Sequence, residues 1–475
     1  MSSTQTPPKL YAPREPIFPR RVQGNFRNLK WLIMAVTLGI YYITPWIRWD
    51  RGPELPSQAV LVDLASRRFF FFWIEIWPHE FYFIAGLLIM AGLGLFLFTS
   101  ALGRVWCGYT CPQTVWTDLF ILVERWIEGD RNNRLRLWKQ KWTRKKLRLR
   151  ITKYIVWAMI ALATGGAWVF YFTDAPQLLI NLLNGTAHPI AYSTLAVLTI
   201  TTMLFGGFAR EQVCIYMCPW PRIQSAMMDE DTITIAYREW RGEPRGKLKK
   251  GQIDASQGDC IDCMACVNVC PMGIDIRNGQ QMECITCGLC IDACDEVMDK
   301  IGKPRGLIDY MALTDETAER AGKEPRQIWK HILRPRTILY TALWGMVGFG
   351  LLFALFIRPD LDVSVAPVRN PVFVTLSDGS LRNTYDVRLR NKHGEDRPFR
   401  ISLVGDAALR VQLEGTPYEA VNVPADAMVI QRVYVVAPRG SAPAQNERTA
   451  FRLWIEDITN GDRAHADTIF NGKGQ

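Results

Sequence analysis

The chain has 475 residues, which as a prior allows about three domains. Hydrophobic residues make up 49% of it, an ordinary fraction for a soluble protein, but they are gathered in nearly charge-free runs of about 20 residues, long enough to cross a bilayer as helices. The net charge of +10 is concentrated beside these runs, so membrane topology explains it better than nucleic acid, and no nucleic-acid partner is expected.

The amino-terminal part is predicted to be a short arm followed by four membrane spans. Residues 1–29 are polar and basic and form a cytoplasmic arm. The spans lie within residues 30–208, at about 30–46, 81–99, 154–172 and 189–208. Residues 60–77 are also apolar but include the pair Arg67 and Arg68, which is costly inside a bilayer. They are therefore interpreted as an interfacial or re-entrant segment rather than as a sixth span.

The connection between the second and third spans is very basic. Residues 131–153 hold eleven Lys and Arg residues. A nucleic acid or another specific anionic partner is one explanation, but the usual excess of basic residues on the cytoplasmic side favours contact with anionic membrane lipid. Trp138 and Trp142 are four residues apart, a spacing that predicts a shared helix face.

Two tandem cysteine runs lie in residues 209–336, which are predicted to be a cytoplasmic insertion with a ferredoxin domain at about 250–300. The runs read Cys260-x2-Cys263-x2-Cys266-x3-Cys270-Pro271 and Cys284-x2-Cys287-x2-Cys290-x3-Cys294. This is the ligand pattern of a ferredoxin with two [4Fe–4S] clusters, in which the fourth cysteine of each run crosses to the other cluster. One cluster is thus expected to take Cys260, Cys263, Cys266 and Cys294, and the other Cys284, Cys287, Cys290 and Cys270. Zinc held by four cysteines and a disulfide framework are the alternatives, but eight cysteines at this double spacing favour iron–sulfur clusters.

Four further cysteines form two pairs of a different spacing. They are Cys107 and Cys111, which follow Arg104 and the second span, and Cys214 and Cys218, which follow Arg210 and the fourth. Each pair reads Cys-x3-Cys-Pro, so each proline is expected to mark a helix break, and the apparent internal repeat predicts that the pairs meet. Such thiols could bind copper or another soft redox metal, act as two redox dithiols, ligate a further iron–sulfur cluster, or be small buried apolar residues. The repetition favours a functional role.

The carboxyl-terminal part is predicted to be a fifth span at 337–357 and an all-β domain at 362–475. Short alternating segments and turns in about 110 residues are typical of an immunoglobulin-like sandwich, although this one has no Cys–Cys pair. Basic residues place the arm, residues 101–153 and residues 209–336 on the cytoplasmic side of a bacterial inner membrane, and the β domain in the periplasm. All 12 cysteines then lie on the reducing side.

The order of these parts describes a multi-domain membrane protein: an α-helical bundle of about five transmembrane helices, an inserted two-cluster ferredoxin and an exported β-sandwich. It resembles the CcoG, or RdxA/FixG, family of cytochrome c oxidase accessory proteins. The resemblance implies an electron-transfer protein that assists the assembly of cbb3-type oxidase, binds copper and reduces Cu(II) to Cu(I). The implied partners are oxidase subunits or copper-delivery proteins and a cytoplasmic electron donor.

The second run departs from the two-cluster pattern at Asp295, which stands where the first run has Pro271. All eight ligands are present, so the departure concerns the shape of the loop and the reduction potential rather than cluster binding. Two other functions fit the same residues. One is a polyferredoxin that exchanges electrons with quinol, and the other is a non-catalytic scaffold for oxidase assembly.

Overall fold

The chain forms two compact units. The structure is a computed structural model, and it describes residues 16–52, 55–247, 257–357, 361–391, 395–416, 420–425 and 427–474. The units are residues 1–47 with 59–351 and residues 48–58 with 352–475. Residues 1–15 of the predicted arm and residues 250–256 of the predicted ferredoxin domain lie outside the described residues.

Helices dominate the chain up to residue 356. They are α1 (Asn25–Ile43), α2 (Tyr82–Leu102), α3 (Val105–Tyr109), α4 (Pro112–Glu128), α5 (Arg131–Lys139), α6 (Arg144–Val169), α7 (Ala175–Asn184), α8 (Pro189–Thr202), α9 (Trp220–Met227), α10 (Glu239–Gly242), α11 (Ala265–Val269), α12 (Leu289–Ile301), α13 (Leu313–Arg320), α14 (Ile328–Ile332) and α15 (Pro335–Phe356). Helical turns of the wider π type continue α8 through Met203–Ala209 and form Val213–Met217. Such turns are frequent at functional sites.

Among the described residues, three helices are long and apolar enough to cross a membrane, which associates the protein with a bilayer. They are Tyr82–Leu102, Pro189–Ala209 and Pro335–Phe356, and they coincide with the predicted second, fourth and fifth spans. The predicted first and third spans form α1 and α6, whose first turns contain basic residues that lower their mean hydropathy. The total of about five spans therefore stays a prediction.

The segment 60–77 is a small β-sheet rather than a membrane helix. Strands β1 (Val60–Asp63), β2 (Arg68–Phe71) and β3 (Ile74–Ile76) pair antiparallel in that order. A re-entrant helix or a sixth span is therefore wrong here, and an interfacial position stays a prediction. Short runs of Val, Ile and Phe suit a strand, and Arg68 is neutralised across the sheet by Glu75, with 3.1 Å between Nη1 and Oε1.

The basic segment 131–153 folds into α5 and the first turns of α6. Trp142 lies in the turn between these helices, so the prediction that Trp138 and Trp142 share one helix face is wrong. The turn is fixed by Thr143, whose side chain caps α6 by accepting a hydrogen bond from the backbone N–H of Lys146.

Part of the positive charge in this segment is buried against α4 instead of facing lipid. The Lys153 ammonium lies 3.0 Å from a carboxylate oxygen of Glu128, and Arg150 lies 3.1 Å from the same carboxylate. Glu124 is paired with Arg134 and Lys153. The basic side chains that stay exposed are Arg136, Lys139, Lys141, Arg144, Lys145 and Arg148. Contact with anionic lipid remains the prediction for those.

The ferredoxin segment belongs to the first unit and is built on two short strands and two helices. Strands β4 (Thr234–Tyr237) and β5 (Ile308–Met311) pair antiparallel beside α11 and α12. The core between them contains Ile235, Ile276, Ile291, Met298, Leu307 and Ile308. This core positions the two cysteine runs, because the first run contains α11 and the second run continues into α12.

The second unit is a β-sandwich, which confirms the predicted immunoglobulin-like architecture. Its strands are β6 (Asp362–Pro367), β7 (Val374–Thr375), β8 (Leu381–Arg390), β9 (Arg397–Val404), β10 (Arg410–Leu413), β11 (Ala420–Val423), β12 (Met428–Ala437), β13 (Arg448–Asp457) and β14 (Arg463–Asn471), with a short helix α16 (Ala442–Gln445). One sheet has the order β10-β12-β8-β6, with β7 also on β8, and the other the order β11-β9-β13-β14. Alternate residues of both sheets are fully buried, among them Tyr385, Val387, Ile401, Val433 and Leu453.

Candidate iron–sulfur and thiol site

The two cysteine runs have the same backbone conformation. In the loop 260–266, the third and fifth residues, Asp262 and Met264, have positive φ angles of 54° and 57°. In the loop 284–290 the third and fifth residues, Thr286 and Gly288, have φ angles of 49° and 73°. Three of these four residues are not glycine, and each such residue costs on the order of 1–3 kcal/mol. The repeated strain indicates loops shaped around a ligand.

Each loop closes on its own cavity. The first cluster cavity is lined by Cys260, Cys263, Cys266 and Cys294, together with apolar residues of β5 and α12. The second cluster cavity is lined by Cys270, Cys284, Cys287 and Cys290, and Cys266 borders it as well. The structure therefore brings together the two crossed sets of four that the spacing predicts. The packing of α11 against α12 causes this exchange, because Cys270 caps the end of α11 and Cys294 lies within α12.

The chemistry of these cavities fits [4Fe–4S] clusters. Burial raises the pKa of Cys266 and Cys284 to about 11 and that of Cys270 and Cys294 to about 12. Such thiols do not ionise at neutral pH without a cation, and four of them around one apolar cavity suit the iron of a cubane cluster. Backbone N–H groups also point at the Cys270 sulfur and oppose the effect of burial on its pKa.

The first cluster cavity is close to solvent. Cys263 is exposed, whereas the other three cysteines of its set are buried. Arg277 bridges the loop, with 2.7 Å from its Nη1 to Asp262 Oδ1 and 2.8 Å from its Nη2 to Met264 Sδ. Its charge opposes the effect of burial on the pKa of Cys266.

The second cluster cavity is covered by the first Cys-x3-Cys-Pro motif. Gly108 packs so closely on its loop that a Cβ there would lie 2.5 Å from the Ile285 carbonyl oxygen. The Tyr109 hydroxyl donates to the Cys287 carbonyl over 3.0 Å, and Arg104 donates to the Met282 carbonyl. The second cluster cavity therefore faces the membrane helices.

Both Cys-x3-Cys-Pro motifs lie at helix breaks. Cys107 is in α3 and Cys111 caps α4, with Pro112 at the first helical position. Cys214 is in the π-type helix Val213–Met217, and Cys218 ends that helix.

The four motif cysteines, here called the thiol quartet (Cys107, Cys111, Cys214 and Cys218), share one neighbourhood. Burial, together with the charges of neighbouring quartet members, raises the pKa of Cys107 to about 11 and that of Cys214 to about 12. Cys107 and Cys214 also pack against the apolar cluster that contains Ile285. Within the described part of the chain, no three His, Cys, Asp or Glu side chains converge closely enough to hold one metal ion. The quartet is therefore assembled but not closed around an ion.

The roles of two arginines at this site could not be assigned from the sequence. Arg104 and Arg210 stand at equivalent positions of the two repeats, but only Arg104 reaches a cysteine loop. Arg210 instead pairs with Glu124 and donates to the Gly207 carbonyl over 2.7 Å. The repeated arginine was the only signal, and it does not distinguish the two roles.

Three families of known proteins match separate parts of the chain. Residues 209–313 match a family described as a 4Fe-4S dicluster domain, and residues 83–133 match a 4Fe-4S binding domain. Residues 351–473 match the IG-like fold at the C-terminus of FixG. Together with the cavities, these matches identify two [4Fe–4S] clusters as the cofactors.

Three relatives are similar to this chain over nearly its whole length. Protein RdxB of Cereibacter sphaeroides is 70% identical over 472 residues, which cover 99% of each chain. Protein RdxA of the same organism is 64% identical and covers 98% of each chain. The nitrogen fixation protein FixG of Rhizobium meliloti is 51% identical, covering 98% of this chain and 94% of its own.

Among solved structures, a FixG-related protein from Vibrio parahaemolyticus aligns with 24% of this chain and 97% of its own, at 16% identity and a TM-score of 0.21.

Proposed function

Because the chain belongs to the RdxA/FixG family, we propose that this membrane-associated iron–sulfur protein assists the assembly of cbb3-type cytochrome c oxidase by binding copper and reducing Cu(II) to Cu(I). Its two [4Fe–4S] clusters make it an electron-transfer protein. The copper part of the proposal rests on one observation, the packing of the thiol quartet against the loop of Cys284 and Cys287.

The environments of the two cavities suggest a direction for the electrons. The exposed Cys263 offers an entry point to a cytoplasmic electron donor, because it is the one cysteine of the first set that is not buried among the described residues. The loop 284–290 offers the exit, because it contacts Gly108 and Tyr109 between Cys107 and Cys111. The clusters, held by these eight cysteines, would supply single electrons, and the reduction of Cu(II) to Cu(I) takes up one electron.

The thiol quartet suits copper as the substrate. Thiolates are soft ligands that favour Cu(I) over harder cations. Since burial holds the pKa of Cys107 and Cys214 high, their thiols must release protons when they bind the metal. No three quartet sulfurs converge in the described chain, so the ion would sit between two thiolates or draw the pairs together.

Contacts of the helix ends support a crossing by α1. Phe26 at the start of α1 packs on Gly288, and Gly103 after the end of α2 packs on Thr234, so both ends lie beside the ferredoxin. The start of α2 is then on the far side of the membrane. The chain must cross between Phe26 and Tyr82, and α1 is the long helix in that interval.

The same reasoning supports a crossing by α6. Cys107 after α2 and Cys214 after α8 both pack on the ferredoxin, so an even number of crossings separates them. Helix α8 is one of these crossings, and α6, with 26 residues, is the longest helix of the interval. Near the far end of α6, the Tyr171 hydroxyl donates to the Tyr41 carbonyl at the end of α1 over 3.0 Å.

With α15, this gives five spans in a bacterial inner membrane. The amino terminus and the clusters would be cytoplasmic, and the β-sandwich periplasmic. The proposed partners follow from this placement. They are a cytoplasmic electron donor at the first cluster cavity, and oxidase subunits or copper-delivery proteins that receive Cu(I).

The experiment that tests the proposal is anaerobic purification with iron, sulfide and copper counts, EPR spectra and an assay of Cu(II) reduction by the dithionite-reduced protein. We expect about eight iron atoms per chain and Cu(II) reduction that is lost in Cys214→Ser/Cys218→Ser while both cluster signals stay. A protein with both signals that leaves Cu(II) unreduced contradicts the proposal. About twelve iron atoms, falling by about four in the double variant, would instead give the quartet a further cluster.

A further inference from the structure

A large cavity lies away from the cysteines, between the start of α1 and the end of α4. Its volume is about 650 Å³. Three arginines line it, Arg21, Arg27 and Arg125, and no carboxylate is among the described residues of its wall. The cavity therefore has an excess of positive charge.

Arg27 is a built part of this wall rather than a flexible surface residue. It is 4% exposed, and its Nη1 holds both oxygens of Asp118 at 2.9 and 3.1 Å. The guanidinium also stacks on the Trp31 ring, 3.9 Å from its centroid. Its Nη2 has no hydrogen-bond partner among the described residues. A buried guanidinium that keeps a free N–H is costly unless a ligand accepts from it.

Arg125 faces the same cavity from α4 and is also incompletely satisfied. Its Nη2 donates to the carbonyls of Pro19 and Arg20 over 3.2 Å each, but its Nε has no partner in the described chain. Burial, together with the nearby charge of Arg27, lowers the pKa of Arg125 to about 10. The charges of Asp118 and Asp130 oppose this lowering, and an anion in the cavity would oppose it further.

The mouth of the cavity is apolar. Leu122 and Trp126 form it on the α4 side, and Trp126 is 80% exposed. On α1, an exposed apolar stripe begins beside the cavity and runs up the helix through Leu29, Leu32, Val36, Ile40 and Ile43. At 1.5 Å per residue the stripe is about 21 Å long, comparable to one leaflet with its headgroup layer.

We infer that this cavity binds the phosphate headgroup of an anionic phospholipid, with the acyl chains lying along the exposed stripe of α1. Arginine forks match phosphate oxygens, and tryptophan at the mouth suits the interface of a bilayer. A soluble phosphate compound would not need the stripe.

The site would fix the ferredoxin to the membrane surface. Arg27 belongs to the α1 wall of the cavity, and Phe26 precedes it in the chain. The backbone N–H groups of Phe26 and Arg27 donate to the Asp292 carboxylate of α12 at 3.3 and 2.8 Å. Asp292 lies between two cluster cysteines, Cys290 and Cys294. The inference does not depend on copper reduction.

The test is native mass spectrometry of the full-length protein in neutral detergent, titrated with dioctanoyl-phosphatidylglycerol, dioctanoyl-phosphatidylcholine or inorganic phosphate. We expect one phosphatidylglycerol per chain, bound at least tenfold more tightly than phosphatidylcholine. Arg125→Gln should weaken it at least tenfold and Arg21→Gln severalfold. Arg20→Gln is the matched control, because this neighbouring exposed arginine does not line the cavity, and it should change the affinity less than twofold.

The visible absorption of the clusters reports whether each variant has folded. If Arg125→Gln does not fold, Arg21→Gln carries the test, since its side chain is exposed. Equal binding of the two lipids, or unchanged affinity in the folded variants, overturns the inference. Displacement of phosphatidylglycerol by an equal concentration of inorganic phosphate overturns the lipid as occupant and leaves a site for soluble anions.

Discussion

The loops 260–266 and 284–290 are alike in backbone and unlike in surroundings. Both have left-handed residues at their third and fifth positions. The middle cysteine of the first loop, Cys263, is exposed, whereas its counterpart Cys287 is 7% exposed and lies under Tyr109. The comparison teaches that cysteine spacing sets how a cluster is held, while the elements packed on each loop set what the cluster can exchange electrons with.

The largest effect is expected when one cluster is removed at a time, which tests whether the two loops have different roles in electron transfer. Cys287→Ser and Cys263→Ser should each lose about half of the iron. The variants are reduced beforehand and mixed with one equivalent of Cu(II). The rate of Cu(II) reduction by Cys287→Ser should fall to background, because its remaining cluster is the one farther from the thiol quartet. Cys263→Ser should still reduce the copper. Stopped-flow detection of Cu(I) measures both, and equal loss in the two variants would remove the distinction between entry and exit.

A smaller effect is expected from separating the second loop from the first motif. Gly108→Ala places a methyl group 2.5 Å from the Ile285 carbonyl oxygen, so the two segments must move apart. We expect about 1–3 kcal/mol of lost stability from the clash and about a tenfold slower reduction of Cu(II). Gly39→Ala is the control, since a Cβ on this helical glycine meets nothing within 4 Å. Thermal unfolding and single-turnover rates of Cu(II) reduction are measured for both variants. A wild-type rate in Gly108→Ala would exclude this contact from the path of the electrons.

The smallest effect should come from the two arginines beside the loops. Arg104 lies at the second loop and Arg277 at the first, and both side chains are largely buried. Reduction adds negative charge to a cluster, so loss of a nearby cation should lower its reduction potential, by on the order of 60 mV, equal to a tenfold change in a one-electron equilibrium.

EPR-monitored redox titration of Arg104→Gln and Arg277→Gln measures these potentials. Each variant should shift the reduction potential of one cluster and leave the potential of the other cluster unchanged within error. Arg210→Gln serves as control for Arg104→Gln because Arg210 holds the same place in the second repeat but turns to Glu124. A shift of both clusters by either variant would mean that the loops are not electrostatically separate.

The parts of this site that could be predicted are those fixed by local spacing. The crossed grouping of Cys270 and Cys294 follows from a pattern of eight cysteines, and the sandwich from alternating strands. The contact between Gly108 and Ile285 joins segments that are distant in sequence, and no local pattern encodes it. The strands at 60–77 were not predicted because short strands and helix segments have similar composition, and the Arg68–Glu75 pair that neutralises Arg68 forms only across the sheet.

The hydrogen bonds from Phe26 and Arg27 to Asp292 also constrain the order of biosynthesis. Helix α1 has no side-chain cap of its own, and Asp292 supplies the cap from 265 positions further along the chain. Helix α1 therefore leaves the ribosome long before the carboxylate that caps it. The carboxylate is placed only when α12 has formed around the cluster cysteines. The docking of α1 onto the ferredoxin is therefore a late step of maturation, because its cap is available only after α12 has been synthesised and folded.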